Sequence, residues 1–139
     1  MKIAVVYWSS TGNTEAMAQA VVEGAKHAGA EAELFTAAEF DGGKMDEFDA
    51  VAFGCPAMGA EELEDGEFAP MFETCESKLS GKKIALFGSY GWGDGEWMRT
   101  WEENCRDKGA NLVCDSVTCQ ETPDDEALSA CRSLGEALA

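Results

Sequence analysis

The chain has 139 residues, 45% hydrophobic and 27% charged, with 27 acidic residues against 10 basic ones and a formal net charge of −17. That length is most simply one domain, 1–139, large enough to bury about two-thirds of its unfolded surface. The charge argues against nucleic acid and anionic membranes, which would repel it, and suits a monomer steered toward basic protein surfaces.

The first apolar run, Ile3–Tyr7, predicts a strand. It is far shorter than the roughly twenty residues of a membrane span and does not resemble a signal peptide, so the expected location is the cytoplasm. After it, Trp8 leads into Ser9-Ser10-Thr11-Gly12-Asn13-Thr14, a turn with hydroxyls, an amide, one glycine and no Lys or Arg. A turn of this kind between a strand and a helix aims backbone N–H groups and a helix dipole at one point, where an anion can sit. It lacks both the Gly-Lys-Ser/Thr of a P-loop and the three spaced glycines of a dinucleotide fingerprint. Met17, Ala20, Val21, Gly24, Ala25 and Ala28 then recur at helical spacing, and Gly29 is the stop.

Ala32–Phe35 and Ala50–Gly54 predict the second and third strands, with a turn at Asp41-Gly42-Gly43 between them. The third strand leads into Cys55-Pro56-Ala57-Met58-Gly59-Ala60-Glu61-Glu62. Met58 is a polarizable thioether in a polar turn, suited to one face of a flat conjugated ring, and Gly59 leaves its carbonyl free to turn either way. After the turn Ser80-Gly81-Lys82, strand four is expected at Ile84–Gly88, followed by Ser89-Tyr90-Gly91-Trp92-Gly93-Asp94-Gly95-Glu96-Trp97. A Trp between glycines at a strand's carboxyl end offers an aromatic face with backbone close by, and Tyr90 can do the same. Trp97 and Trp101 stand i, i+4 on the next helix as packing residues, Trp97 at the border of the candidate site. A fifth strand is expected at Leu112–Val117. The last helix should start with Thr122 as N-cap and Pro123 in its first turn, with Ala127, Leu128, Cys131, Leu134, Ala137 and Leu138 as its apolar face.

Six cysteines without a C-x-x-C pair, and a single His27, argue against zinc or an iron–sulfur cluster and for reduced structural thiols. Strands alternating with helices predict a three-layer α/β domain, a five-stranded parallel sheet with helices on both faces. Its ligand should lie at the switch point, beside the loops after strands one, three and four. A phosphate cradle, a thioether face and an aromatic face on those three loops describe FMN.

The segments Val5–Glu15, Gly54–Gly59 and Leu86–Gly95 resemble the short-chain flavodoxins of anaerobic bacteria, and the resemblance extends over essentially the whole chain. It implies the sheet order 2-1-3-4-5 and noncovalent FMN. By motif match, Ser9, Thr11, Asn13 and Thr14 with the turn's N–H groups would hold the phosphate, and Ser89 would contribute. Ser10 stands where the family often has Gly. Met58 and Trp92 would flank the ring, Glu61 or Glu62 would accept from its N3–H, and the Gly59 carbonyl would meet N5–H in the semiquinone. A further loop, Cys119–Thr122, would border the ring, with Cys119 and Gln120 as its candidates. The implied function is a low-potential one-electron carrier, working on the semiquinone/hydroquinone couple between redox proteins with basic docking surfaces, and not an enzyme. Glu61, Glu62, Glu64, Asp65, Asp94 and Glu96 would oppose added negative charge. One charge about 10 Å away is worth roughly 0.4–1.7 kcal/mol, or about 20–70 mV.

Three rivals were weighed on their residue requirements. A receiver domain needs acids after strand one and at the end of strand three, where this chain has Trp8-Ser9 and Gly54-Cys55. A cysteine phosphatase needs Arg six positions after a Cys, which no Cys here has. The alternative reading is a small FMN-dependent reductase acting on quinones or other small acceptors, which would need a pocket over a ring that Met58 and Trp92 would already cover.

Overall fold

The computed structural model describes residues 1–58, 62–91, 93 and 95–139. Strand β1 (Lys2–Tyr7) is followed by helix α1 (Asn13–His27) and β2 (Glu31–Thr36); only short 3₁₀ turns separate β2 from β3 (Ala50–Gly54), which is followed by α2 (Phe68–Cys75), β4 (Lys83–Tyr90) and α3 (Glu96–Asp107). Two short strands, β5 (Asn111–Leu112) and β6 (Val117–Gln120), precede helix α4 (Asp125–Leu138). All pairings are parallel, in the order β2-β1-β3-β4-β5, with β6 also on β4.

β1, β3 and β4 are apolar almost throughout because the sheet is covered on both faces. Alternate residues sort cleanly between the layers. Ala4, Val6, Val51, Phe53, Ile84 and Leu86 pack under α2 and α3 with Phe68, Phe72, Trp97 and Trp101. Ile3, Val5, Ala50, Ala52, Ala85 and Phe87 pack under α1 and α4 with Met17, Val21, Cys131 and Leu134. Trp101 stands edge-on to Phe68 and Phe72, with ring centroids 5.4 and 5.6 Å away.

The fifth strand departs from the sequence expectation. Leu112–Val117 is not one strand: β5 ends at Leu112, β6 begins at Val117, and both pair with β4. Asp115 and Ser116 fall in the interruption, where the Ser116 hydroxyl bonds Glu102 Oε2 of α3 at 2.8 Å instead of joining the ladder. The restart carries Cys119 and Gln120 into a strand rather than a loop. The N-cap of α4 is Asp124, not Thr122, and its carboxylate accepts from Ala127 N at 2.8 Å. Asp in extended backbone is as good a cap as Thr and here reaches the N3 amide.

α1 and α4 lie close enough that a Cβ at Gly24 would run into the Arg132 carbonyl and one at Gly135 into the Val21 carbonyl. Each obstacle is helix backbone, which cannot step aside as a side chain would. Gly24→Ala or Gly135→Ala should therefore destabilise the protein by about 2 kcal/mol or more despite Ala's better helix propensity. Urea unfolding checks this, and an unchanged midpoint would contradict the close crossing.

Candidate functional site

At the carboxyl end of β1, Tyr7 pairs with Gly54 of β3, and Trp8 N reaches the Gly54 carbonyl at 3.0 Å. The chain then turns sharply into α1. Ser9 Oγ accepts from Gly12 N at 3.1 Å and Thr11 Oγ1 from Asn13 N at 3.4 Å, so the turn is shaped by its own hydroxyls. Gly12 caps the helix at φ 91°, a left-handed conformation that glycine adopts freely. Having no side chain, it supplies no cap of its own to the first turn of α1. Thr14 is buried, with its hydroxyl 2.9 Å from that of Ser89, which joins the first loop to the end of β4.

The second loop is held from below. Ala57 N donates to Ser89 O at 3.0 Å, and Met58 and Glu62 form a two-bond antiparallel bridge at 2.8 and 2.9 Å. Glu64, 9% exposed, accepts from the amides of Gly66, Glu67 and Phe68 at 2.7, 2.7 and 2.8 Å, closing the entry to α2. Burial pushes its carboxyl pKa up, but the three amide bonds outweigh that and hold it below the usual carboxylate value. Its own amide donates to Cys55 Sγ at 3.4 Å. Burial, reinforced by the Glu64 charge, pushes the Cys55 thiol up to about 12 against the pull of that bond, so it stays protonated.

The third wall comes from β4 and β6. Tyr90 O accepts from Glu121 N at 2.7 Å, and Gln120 Nε2 donates to Gly91 O at 3.4 Å. Cys119 donates to Met17 Sδ at 3.5 Å, linking β6 to α1. Glu121 has φ 60°, the one positive φ among the described non-glycine residues.

These walls enclose a cleft of about 290 Å³ lined by Ser10, Thr11, Asn13, Pro56, Ala57, Met58, Ser89, Tyr90, Gly91 and Glu121. Nine of these ten were site candidates from sequence. Other candidates take different places. Trp8, Ser9 and Gly12 line a neighbouring cleft of about 360 Å³ on the β2 side, where Trp8 Nε1 donates to Glu67 Oε1 at 3.2 Å. Trp97 is a packing residue beneath the site: it is 2% exposed, and its Nε1 donates to the Cys55 carbonyl at 3.2 Å. Cys119 and Gln120 line a groove between β6 and α4. Gly93 and Gly95 take left-handed backbone leading into α3, with Gly95 as its N-cap. Gly59, Ala60, Glu61, Trp92 and Asp94 lie outside the described residues, and so do the turn at Gly59 and the aromatic face.

Sequence reasoning put Glu121 in a bordering loop without singling it out, and it missed Glu64 as a cap. Glu64 could have been found from its place four residues before the apolar Phe68; nothing in the sequence signals the left-handed backbone of Glu121. The donor set fits FMN. Uncapped helix amides and hydroxyls, with no cationic side chain in the turn, suit a terminal phosphate, and the largely apolar wall of Pro56, Ala57, Met58 and Tyr90 suits a planar ring.

The flavodoxin family model matches residues 5–135. A flavodoxin of Megasphaera elsdenii is 45% identical over 140 residues, spanning 99% of this chain and 98% of the relative. A flavodoxin of Clostridium beijerinckii is 42% identical over 135 residues, 97% of each. The solution structure of two-electron reduced Megasphaera elsdenii flavodoxin superposes with a TM-score of 0.90 at 44% identity, covering 98% of this chain and 97% of that one.

The backbone of Glu121 generates a prediction. A left-handed conformation costs a residue with a Cβ about 1 kcal/mol, and least for Asn. Glu121→Asn should raise the stability of the apoprotein by up to about 1 kcal/mol, whereas Glu121→Val should lower it by more than that. Thermal melts of the two variants check the order.

Proposed function

The chain belongs to the flavodoxin family, and from that premise we propose how its own residues hold the cofactor and meet partners. A flavodoxin is an electron-transfer protein rather than an enzyme, and its cofactor is noncovalently bound FMN. Bound FMN supplies one-electron redox chemistry at low potential; the chain binds it, orients it, limits water and sets the charge around it.

The phosphate would be held at the start of α1, by the amides of the 9–14 turn with Ser9, Thr11, Asn13 and Thr14, and Ser89 would support Thr14 from behind. Met58, Pro56 and Ala57 would flank the ring on one side; by the family resemblance Trp92 would flank the other, and Glu61 or Glu62 would take the ring N3–H. The observation that carries this assignment is the convergence of three loops on one cleft, tied together by the Thr14–Ser89 hydroxyl pair. The whole chain acts as one cofactor-binding domain, and family membership favours carriage over turnover of small acceptors.

Partners with basic docking surfaces are supported by the charge layout. Acids open the helices at the cofactor end, with Glu15 in α1, Glu96 in α3, and Asp125 and Glu126 in α4. Bases gather at the other end, with Lys2 and Lys83 starting β1 and β4, and Lys26 and Arg106 closing α1 and α3. Such a field turns the cofactor end toward a positive surface before contact. It also suits a monomer free in the cytoplasm.

Asn13→Ala and Thr11→Ala should each weaken FMN binding about tenfold, the scale of a hydrogen bond to a charged acceptor, and leave riboflavin binding nearly unchanged. Fluorescence titration with both ligands checks the phosphate assignment; equal losses would refute it. Electron transfer to a basic partner should slow steeply as salt rises from low ionic strength to 1 M, where the Debye length is about 3 Å. Stopped-flow rates that stay flat over that range would remove steering.

A further inference from the structure

Glu64 and Cys55 are two buried groups in the second loop with no role in the cofactor contacts assigned above. The segment between them leaves β3 at Cys55 and comes back beside that residue at Glu64, just before α2, and it is closed twice. At its neck stands the two-bond bridge of Met58 and Glu62. At its base, Glu64 N donates to Cys55 Sγ at 3.4 Å while the thiol donates to Pro56 O at 3.5 Å. The Glu64 carboxylate then spends both oxygens on the start of α2. Oε1 accepts from Glu67 and Phe68 at 2.7 and 2.8 Å, and Oε2 accepts from Gly66 at 2.7 Å. The Glu64 carbonyl completes the knot by accepting from Ala69 N at 2.9 Å.

An exposed acid placed to add charge has no need of such a setting. Three amide donors converging on one buried carboxylate form a rigid joint between helix and loop. Through Glu64 N and Cys55, that joint sets where the chain re-enters the core and hence the height of the Met58–Glu62 neck. The same bonds require a carboxylate: an amide at this position would turn an NH₂ toward a backbone N–H.

We propose that Glu64, latched to the Cys55 thiol, is the positioning residue of the cofactor loop, holding the Met58–Glu62 neck at the height that the flavin ring requires. The proposal rests on the reading that this loop walls the FMN. Its action is mechanical, which separates it from the simpler view that Glu64 is one more negative charge near the ring. A charge acts on the second one-electron potential, where reduction adds negative charge, and leaves the apoprotein's loop as it was. A joint acts on the loop before any cofactor binds, and on the first one-electron potential, the step at which the family resemblance puts the Gly59 carbonyl against the ring.

The test compares wild type, Glu64→Gln, Glu64→Asp and Cys55→Ala, first as apoproteins by amide hydrogen exchange and then with FMN by titration and spectroelectrochemistry. In apo Glu64→Gln, exchange should quicken at least tenfold at Gly66, Glu67 and Phe68 and also at Met58 and Glu62, which the carboxylate does not touch. FMN affinity should fall about tenfold and the first potential should drop. Glu64→Asp, which keeps the charge on a shorter arm, should recover part of the affinity. Cys55→Ala keeps the charge entirely and should shift exchange and first potential in the same direction by less; it also carries the test if Glu64→Gln does not fold. Unchanged exchange at Met58 and Glu62, with only the second potential raised, would overturn the proposal in favour of charge. If FMN binds wild type without slowing exchange anywhere in 55–68, the loop is not a cofactor wall; the proposal then falls with the site reading, whatever the variants do.

Discussion

The parallel register of three strands is the constraint on which the site depends. Tyr7 of β1 lies opposite Gly54 of β3, and Gly54 lies opposite Phe87 of β4. Parallel strands aligned in this way release their chains at one edge of the sheet, so the following loops compete for the same space. The structure resolves that competition with polar contacts between loops rather than with apolar packing. The Thr14 and Ser89 hydroxyls meet, Ala57 N reaches Ser89 O, and Glu121 N reaches Tyr90 O. The Thr14–Ser89 pair is buried, and a buried polar pair costs little when satisfied and much when broken, which favours one arrangement of the loops. A cleft with hydroxyls at one end and apolar side chains along its length is the result.

The absence of Lys and Arg from the 9–14 turn is the electrostatic counterpart of that geometry. An anion there would be met by amides and a helix dipole, whose positive end is local and fades within a turn. The surrounding acids therefore keep their field at the ring and at the surface. A lysine in the turn would hold phosphate more tightly and would also cancel part of the field that opposes added negative charge. Binding one anion while resisting further negative charge nearby calls for a short-range attractor inside a long-range repeller. Backbone amides within an acidic chain meet both requirements.

Much of this was legible in the sequence because the strong signals are local. Continuous apolar runs at Ile3–Tyr7 and Ala50–Gly54 identify strands covered on both sides, and the Ser/Thr/Gly/Asn turn marks where the first helix begins. What escaped was set by partners distant in sequence. The break between β5 and β6 falls where Ser116 bonds Glu102, and the Trp97 indole, read as packing, finds its acceptor in the Cys55 carbonyl, 42 residues earlier. Trp8 turns toward Glu67 and the β2 side, a choice of side that an indole after a strand does not announce. The cap at Asp124 rather than Thr122 was a choice between two good caps, decided by which one reaches Ala127 N.

The acids show most clearly why residue type falls short of role. In the sequence, Glu62 and Glu64 stand in one acidic cluster with Glu67 close behind, and the economical reading gives the first two one job, repelling negative charge from the ring. In the structure they divide. Glu62 closes the loop neck through its backbone, Glu67 accepts from the Trp8 indole, and Glu64 turns inward onto three amides. The carboxylate with the most internal partners is the least able to respond to its surroundings, since those partners hold it charged and still. Its neighbours keep their carboxylates exposed and can reorient or be screened. A fixed charge sets a baseline that salt hardly alters, whereas exposed charges set the part that salt and a docking partner can change. An acidic electron carrier has use for both, and backbone geometry, not composition, decides which glutamate does which.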